Sequence, residues 1–169
     1  MSNVLIGIIG VILFIGLALA GALILGDDFR SSKHDTKAAA IVQSLQQTSS
    51  AVSMYEMKTG ETHRVGTSLT TLVPRFLKTM AQNPTGGPVA RPVGAGGQNY
   101  SVPTYMIVME LINDAPQICL AIAQQASGAT SAPKISDASQ IPTDPVGCFE
   151  VTTVVSTLKA GSFYAYVRT

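Results

Sequence analysis

The residues in this chain best equipped for chemistry are two cysteines, Cys119 and Cys148, standing roughly 28 residues apart. Neither belongs to a CxxC pair and no histidine lies at ligand spacing, which argues against a zinc site. Two readings stay open for them: a pair of core thiols, or a disulfide that closes the intervening loop. A disulfide over such a loop would stabilise its domain by roughly 3–4 kcal/mol on chain-entropy grounds. It would also require an oxidising compartment.

The remaining reactive groups are scattered. His34 sits in a charged cluster and His63 in a stretch after Gly60, each without an evident acid or nucleophile partner. Asp137 and Asp144 lie in a Ser/Ala/Pro-rich loop, where they read as turn residues rather than an acid–base pair. The glycines and prolines between residues 83 and 103 invite a phosphate-cradle reading, but no Gly-Lys-Ser/Thr follows and no helix opens there. An exposed loop is expected instead. No enzyme activity, cofactor or metal is expected.

At 169 residues the chain has room for one globular domain and an appendage. Only 12% of it is charged and the net charge is +1, so the basic footprint of a nucleic-acid binder is missing. Apolar residues concentrate at the front. From Val4 to Gly26 there is no charged residue, and Ile, Leu and Val dominate. As a helix this run covers roughly 34 Å, enough to cross a bilayer core of about 30 Å. A buried core helix of this length and all-round apolarity is rare in a small domain. Ala18-Leu19-Ala20 resembles a signal-peptidase site, although no basic residue precedes the apolar run. A retained single-pass anchor is the third reading.

Five glycines punctuate the segment, at Gly7, Gly10, Gly16, Gly21 and Gly26. Glycine is tolerated in membrane helices, and it also lets helices approach closely. The second property makes Leu5, Gly7, Gly10, Phe14, Gly16, Gly21 and Gly26 the candidate self-association positions. Asp27, Asp28, Arg30, Lys33 and Lys37 then form a charged collar. Its basic residues predict a cytoplasmic C-terminal side by the positive-inside rule, in conflict with a disulfide.

Helical periodicity continues beyond the collar. Ala38, Ile41, Val42, Leu45, Thr48, Val52 and Tyr55 form one stripe, opposed by Gln43, Gln46, Gln47, Ser50 and Ser53. Lys58-Thr59-Gly60 supplies a stop. One helix from near residue 2 to near residue 58 is predicted, on the order of 85 Å long. Its second half needs a partner, most simply a sheet.

Leu69, Leu72, Val73, Phe76, Leu77 and Met80 predict two short helical turns, with Pro74 opening the second. Tyr105 to Ile112 predicts a buried strand. Asp114 caps a short helix with Pro116 in its first turn, running to Gly128. Alternation over 149–155 and 163–168 predicts two strands joined by a turn at Lys159-Ala160-Gly161. The expected fold class is α+β with an antiparallel sheet. Three regions result: residues 1–26 as apolar helix, 27–60 as its amphipathic continuation, and 61–169 as a globular head.

This order of parts resembles a type IV pilin, of the type IVb sort. Within it, Ile118-Cys119-Leu120-Ala121-Ile122-Ala123-Gln124-Gln125 followed by Cys148-Phe149 is similar to the cysteine-bounded region of such proteins. The resemblance implies a long helix packed on an antiparallel sheet, and a homo-oligomeric helical filament. It implies a pool in the bacterial inner membrane that moves to an extracellular pilus. It implies a basic leader removed by a prepilin peptidase, N-methylation of Met1, and dependence on pilus assembly machinery. A removed leader would resolve the positive-inside conflict. The chain departs from the family at one place: the usual glutamate at the fifth mature position is Leu5. In the family that glutamate is thought to pair with a neighbour's N-terminal amine. Asp27 and Asp28 lie about 33 Å further along the helix and cannot replace it. A minor tip or priming subunit, and a membrane-anchored periplasmic binding domain, are the alternatives.

Overall fold

The computed structural model describes residues 2–60, 68–80, 82–94 and 105–169, with side chains throughout these spans except at 2–6, 22–29, 92–94 and 105. Met1 and His63 lie outside the described residues, as do the side chains of Leu5, Asp27, Asp28 and Tyr105 and the surroundings of Gly26. The chain divides into two compact units, Met1–Lys33 and His34–Thr169.

Helix α1 spans Ser2–Thr59. Its stop is glycine chemistry: Gly60 takes φ +70° and donates its N–H to the Glu56 carbonyl at 2.9 Å. A side chain there would be strained, so the helix ends where Gly60 stands. Within the second unit the periodic stripe is the buried face of α1. Ala38, Ile41, Leu45, Thr48, Ala51 and Val52 are buried, while Gln43, Gln46, Gln47, Ser50 and Ser53 are exposed.

The second unit is α+β and its sheet has five strands: β1 (Arg91–Gly94), β2 (Tyr105–Leu111), β3 (Lys134–Ile135), β4 (Val146–Val151) and β5 (Phe163–Arg168). They run in the order β1-β2-β5-β4-β3. All pairings are antiparallel except β3 with β4, which is parallel, so the sheet is mixed rather than antiparallel throughout. The parallel pairing has a local cause. Residues 136–145 cross one sheet face before β4 begins, with Ala138 and Ile141 buried beneath it, and re-enter in the direction they left.

Both sheet faces are covered. On one, Ile107, Met109, Leu111, Cys148, Ala165 and Val167 pack with the stripe of α1 and with helix α2 (Ala115–Ser127). On the other, Met106, Val108, Phe149, Val151, Tyr164 and Tyr166 pack under the connections around β3 and before β5. The ring centroids of Phe149 and Tyr166 are 5.4 Å apart. Burying three such rings supplies a large share of this smaller core.

Several sequence expectations need correction. The second helical pattern is a 3-10 turn, Leu69–Leu72, followed by a turn over 73–76 in which Pro74 follows a cis peptide bond and the Phe76 N–H reaches the Leu72 carbonyl at 2.8 Å, so no helix opens at Pro74. Asp114 stands at the N-cap of α2 with φ 56°, but its side chain makes no cap bond. It pairs instead with Lys37 of α1 at 3.4 Å. The final hairpin loop is longer than three residues. The chain leaves the ladder after Val151 and returns at Phe163, with Gly161 N–H on the Val151 carbonyl at 2.7 Å.

The stretch from 83 is not simply an exposed loop. It contains edge strand β1, and its first turn is tied to the end of β2 by buried polar groups. Asn83 Nδ2 donates to the carbonyls of Pro88 (3.0 Å) and Glu110 (2.7 Å). Its Oδ1 accepts from the Thr85 N–H (3.0 Å) and hydroxyl (2.7 Å). Thr85 in turn receives the Ile112 N–H on its hydroxyl oxygen and the Asn113 amide on its carbonyl. Gly87 permits this approach: a Cβ there would lie 2.7 Å from the Glu110 carbonyl oxygen and 2.8 Å from Asn83 Nδ2.

Candidate functional site

The first unit offers the clearest functional surface. Ile12, Leu13, Phe14 and Ile15 are 63%, 62%, 73% and 51% exposed. Four consecutive residues at 100° per step sample nearly the whole circumference of a helix. Residues 7–20 are therefore apolar and exposed around the helix. Gly7, Gly10, Gly16 and Gly21 have no atom within 4 Å of where a Cβ would stand. At the same angular step Gly7, Gly10 and Gly21 share an arc of roughly 60° with Phe14 among them, and Gly16 faces the opposite way. One arc thus alternates hollow, ridge and hollow. Among the described residues no helix is long and apolar enough to cross a membrane. The run from Val4 to Gly26 extends at both ends over side chains outside the description.

In the second unit the cysteines form a disulfide. Cys119 on α2 and Cys148 on β4 are joined at an S–S distance of 2.03 Å, with Cα atoms 5.3 Å apart and both residues buried. It fixes α2 to the sheet face that α2 covers and encloses residues 120–147 in a covalent ring. Of the two readings left open by the sequence, the disulfide is the one the structure adopts.

The other candidate groups do not converge. His34 is half-buried on α1, its Nδ1 buried without a hydrogen-bond partner among the described residues. Asp137 is exposed and caps the turn Ala138–Gln140, its carboxylate taking the Ser139 N–H at 2.8 Å. Hydrogen bonds from the Ser139 backbone and side chain hold its carboxyl below the usual range. Asp144 is exposed and faces Tyr166 electrostatically. Burial, and then the charge of Asp144, push the Tyr166 phenol up to about 12, with Arg168 opposing. Among the described residues no three His, Cys, Asp or Glu side chains gather as metal ligands would.

Sequence reasoning passed over two features. The Asn83–Thr85 network carried no signal, because its acceptor on β2, the Glu110 carbonyl, is 27 residues away. Met54 and Met57 interrupt the polar side of α1 and are 54% and 79% exposed. Their three-residue spacing on an otherwise polar face was the available clue. With Phe76 and Arg75 they line a hollow of about 460 Å³. No protein-family model, curated protein or solved structure matches this chain.

Proposed function

We propose that the protein is a structural subunit of a bacterial type IV pilus filament, assembling through its N-terminal helix and presenting the globular head outward. The observation that carries this reading is the apolar surface of residues 7–20, exposed around α1. Such a surface is supported by lipid or by other apolar helices, and not by water. Exchange of lipid contacts for packing against other copies is favoured where small residues let backbones close up. The Gly7, Gly10 and Gly21 arc with Phe14 between them suits that exchange.

In this proposal the chain waits in the inner membrane, is processed by a prepilin peptidase, and passes to a pilus through assembly machinery. The disulfide fits folding of the head in an oxidising compartment. Leu5 removes a carboxylate that would be costly in an apolar core unless paired. Assembly then rests on apolar packing along the helix. Leu5 also favours a second reading, a tip or priming subunit present in few copies.

Electron microscopy of the purified protein discriminates. Filaments are expected from the parent chain, and none from Gly16→Leu/Gly21→Leu, which fills both opposite arcs of the helix. The double variant should keep a folded head by circular dichroism. Normal filaments from it would sink the packing argument, and detergent-bound monomers from the parent would end the bulk-subunit reading.

A further inference from the structure

Strand β4 is paired along only part of its outer side. Its ladder with β3 runs from the Glu150 N–H on the Pro133 carbonyl to the Thr152 N–H on the Ile135 carbonyl, both at 2.8 Å. One rung earlier, an N–H at residue 133 would meet the Cys148 carbonyl. Proline has no N–H, so that rung cannot form. Cys148 does face this side. The Val151 N–H meets the Ser162 carbonyl and the Arg168 N–H meets the Pro145 carbonyl, so the odd-numbered residues of β4 hydrogen-bond to β5. By alternation the N–H and C=O of Cys148 point away from β5, and neither has a backbone partner among the described residues.

Beside Cys148 lies a hollow of about 10 Å³, walled by Ser127, Pro133, Pro142, Asp144, Gly147 and Tyr166 among others. That is room for one water molecule and for no larger ligand. Tyr166 is 1% exposed, yet its hydroxyl has no hydrogen-bond partner among the described residues. The hydroxyl lies over Gly147 on the wall of the hollow, where a Cβ at 147 would come within 2.8 Å of it. Buried phenols are normally paired, so one without a protein partner points to a further group beside it. Burial, and then the charge of Asp144, push this phenol up to about 12, which keeps it a proton donor. Ser127 donates its hydroxyl to the Ala123 carbonyl at 3.1 Å, which leaves its oxygen able to accept.

We infer that this hollow holds one integral water molecule, which takes the place of the rung that Pro133 cannot make. The water accepts a hydrogen bond from the Tyr166 hydroxyl and donates one to the Cys148 carbonyl. Its second hydrogen goes to Ser127 Oγ or to the Asp144 carboxylate. Three hydrogen bonds are the usual complement of a buried water. The site joins β5, β4 and the last turn of α2 beside the disulfide, where proline interrupts the ladder. A metal cation suits it less, because such an ion takes several oxygen ligands and Asp144 is the single carboxylate on the wall.

The test is a structure of the full chain, from crystals grown in detergent, at a resolution that shows ordered water. A density peak is expected at hydrogen-bond distance, about 2.7–3.2 Å, from both Tyr166 Oη and the Cys148 carbonyl oxygen. Tyr166→Phe should lose that peak with the backbone unchanged. A hollow without density, a peak that touches neither atom, or a peak that survives Tyr166→Phe overturns the inference. So does a peak that thallium replaces, which would be a cation. Oxygen-17 relaxation dispersion reads the same difference without crystals. The full chain in detergent should lose the amplitude of one long-lived water on Tyr166→Phe, and equal amplitudes overturn the inference.

Discussion

Replacing Asn83 by alanine tests the claim that a polar cluster holds the start of the 82–94 stretch. The side chain makes four hydrogen bonds, two as donor and two as acceptor. Thr85 is 2% exposed and Asn83 8%, so water reaches neither freely. A typical buried hydrogen bond contributes about 1 kcal/mol net, and each buried group left unpaired costs about 1–3 kcal/mol. The Thr85 N–H and hydroxyl both lose their acceptor. Water admitted to the vacated space offsets part of this, which leaves an expected loss of about 3 kcal/mol. For a domain of this size that is a fall of roughly 10 °C in melting temperature. Near-ultraviolet circular dichroism of the tyrosines, followed on heating in detergent, measures it. Asn83→Asp supplies the internal control. It keeps the acceptor for Thr85 but sets a second carboxylate oxygen against the carbonyls of Pro88 and Glu110. It should be at least as damaging as alanine at neutral pH, and should recover in part as acid protonates the new carboxyl. An alanine variant that melts within a degree or two of the parent, or an aspartate variant milder than alanine at neutral pH, would refute the network's role.

Reduction of Cys119–Cys148 should lower head stability by roughly 3–4 kcal/mol, read from the urea midpoint with and without reductant, while the helical signal of α1 persists longer. Equal midpoints would show that the ring contributes nothing. The raised Tyr166 phenol means that the folded head favours the neutral form, so this contribution is complete below pH 10 and is lost as pH rises towards about 12. Tyr166→Phe should remove that part of the alkaline destabilisation, and an unchanged alkaline slope would contradict it. Leu5→Glu should give little or no gain in filament yield by electron microscopy. A marked gain would show that the missing carboxylate matters and would favour the tip or priming reading.

What the sequence disclosed depended on how locally each feature is specified. The long helix was legible because its stripe repeats at the helical period and Gly60 stops it. β2 and β5 were legible from apolar runs or alternation, and α2 from the Pro116 and Gly128 that bracket it. β1 was hidden because it contains Pro92 and Gly94, residues suited to an edge strand and atypical of a central one. β3 was hidden because two residues carry no period. Asp114 has the composition of a cap, yet Lys37 from a distant turn of sequence takes its carboxylate. Asn83 looked like loop material because its partners are supplied only when β2 arrives. The cysteines could pair in one way only, which made the bond testable from sequence alone. The hollow beside Met54 and Met57 escaped notice because Arg75 and Phe76 meet them only after the turn at Pro74 folds back on α1.

The ring closed by Cys119 and Cys148 has one more consequence, for a chain whose backbone is cut. Residues 128–145 carry turns and exposed polar side chains, where proteases nick folded domains most readily. A break anywhere from 120 to 147 opens the ring without releasing either piece, since α2 and β4 stay joined through sulfur. β4 and β5 also remain paired with each other on the downstream fragment. A nicked molecule would migrate as one species without reductant and as two with it. Damage to that surface would therefore leave both pieces in one molecule until the disulfide is reduced.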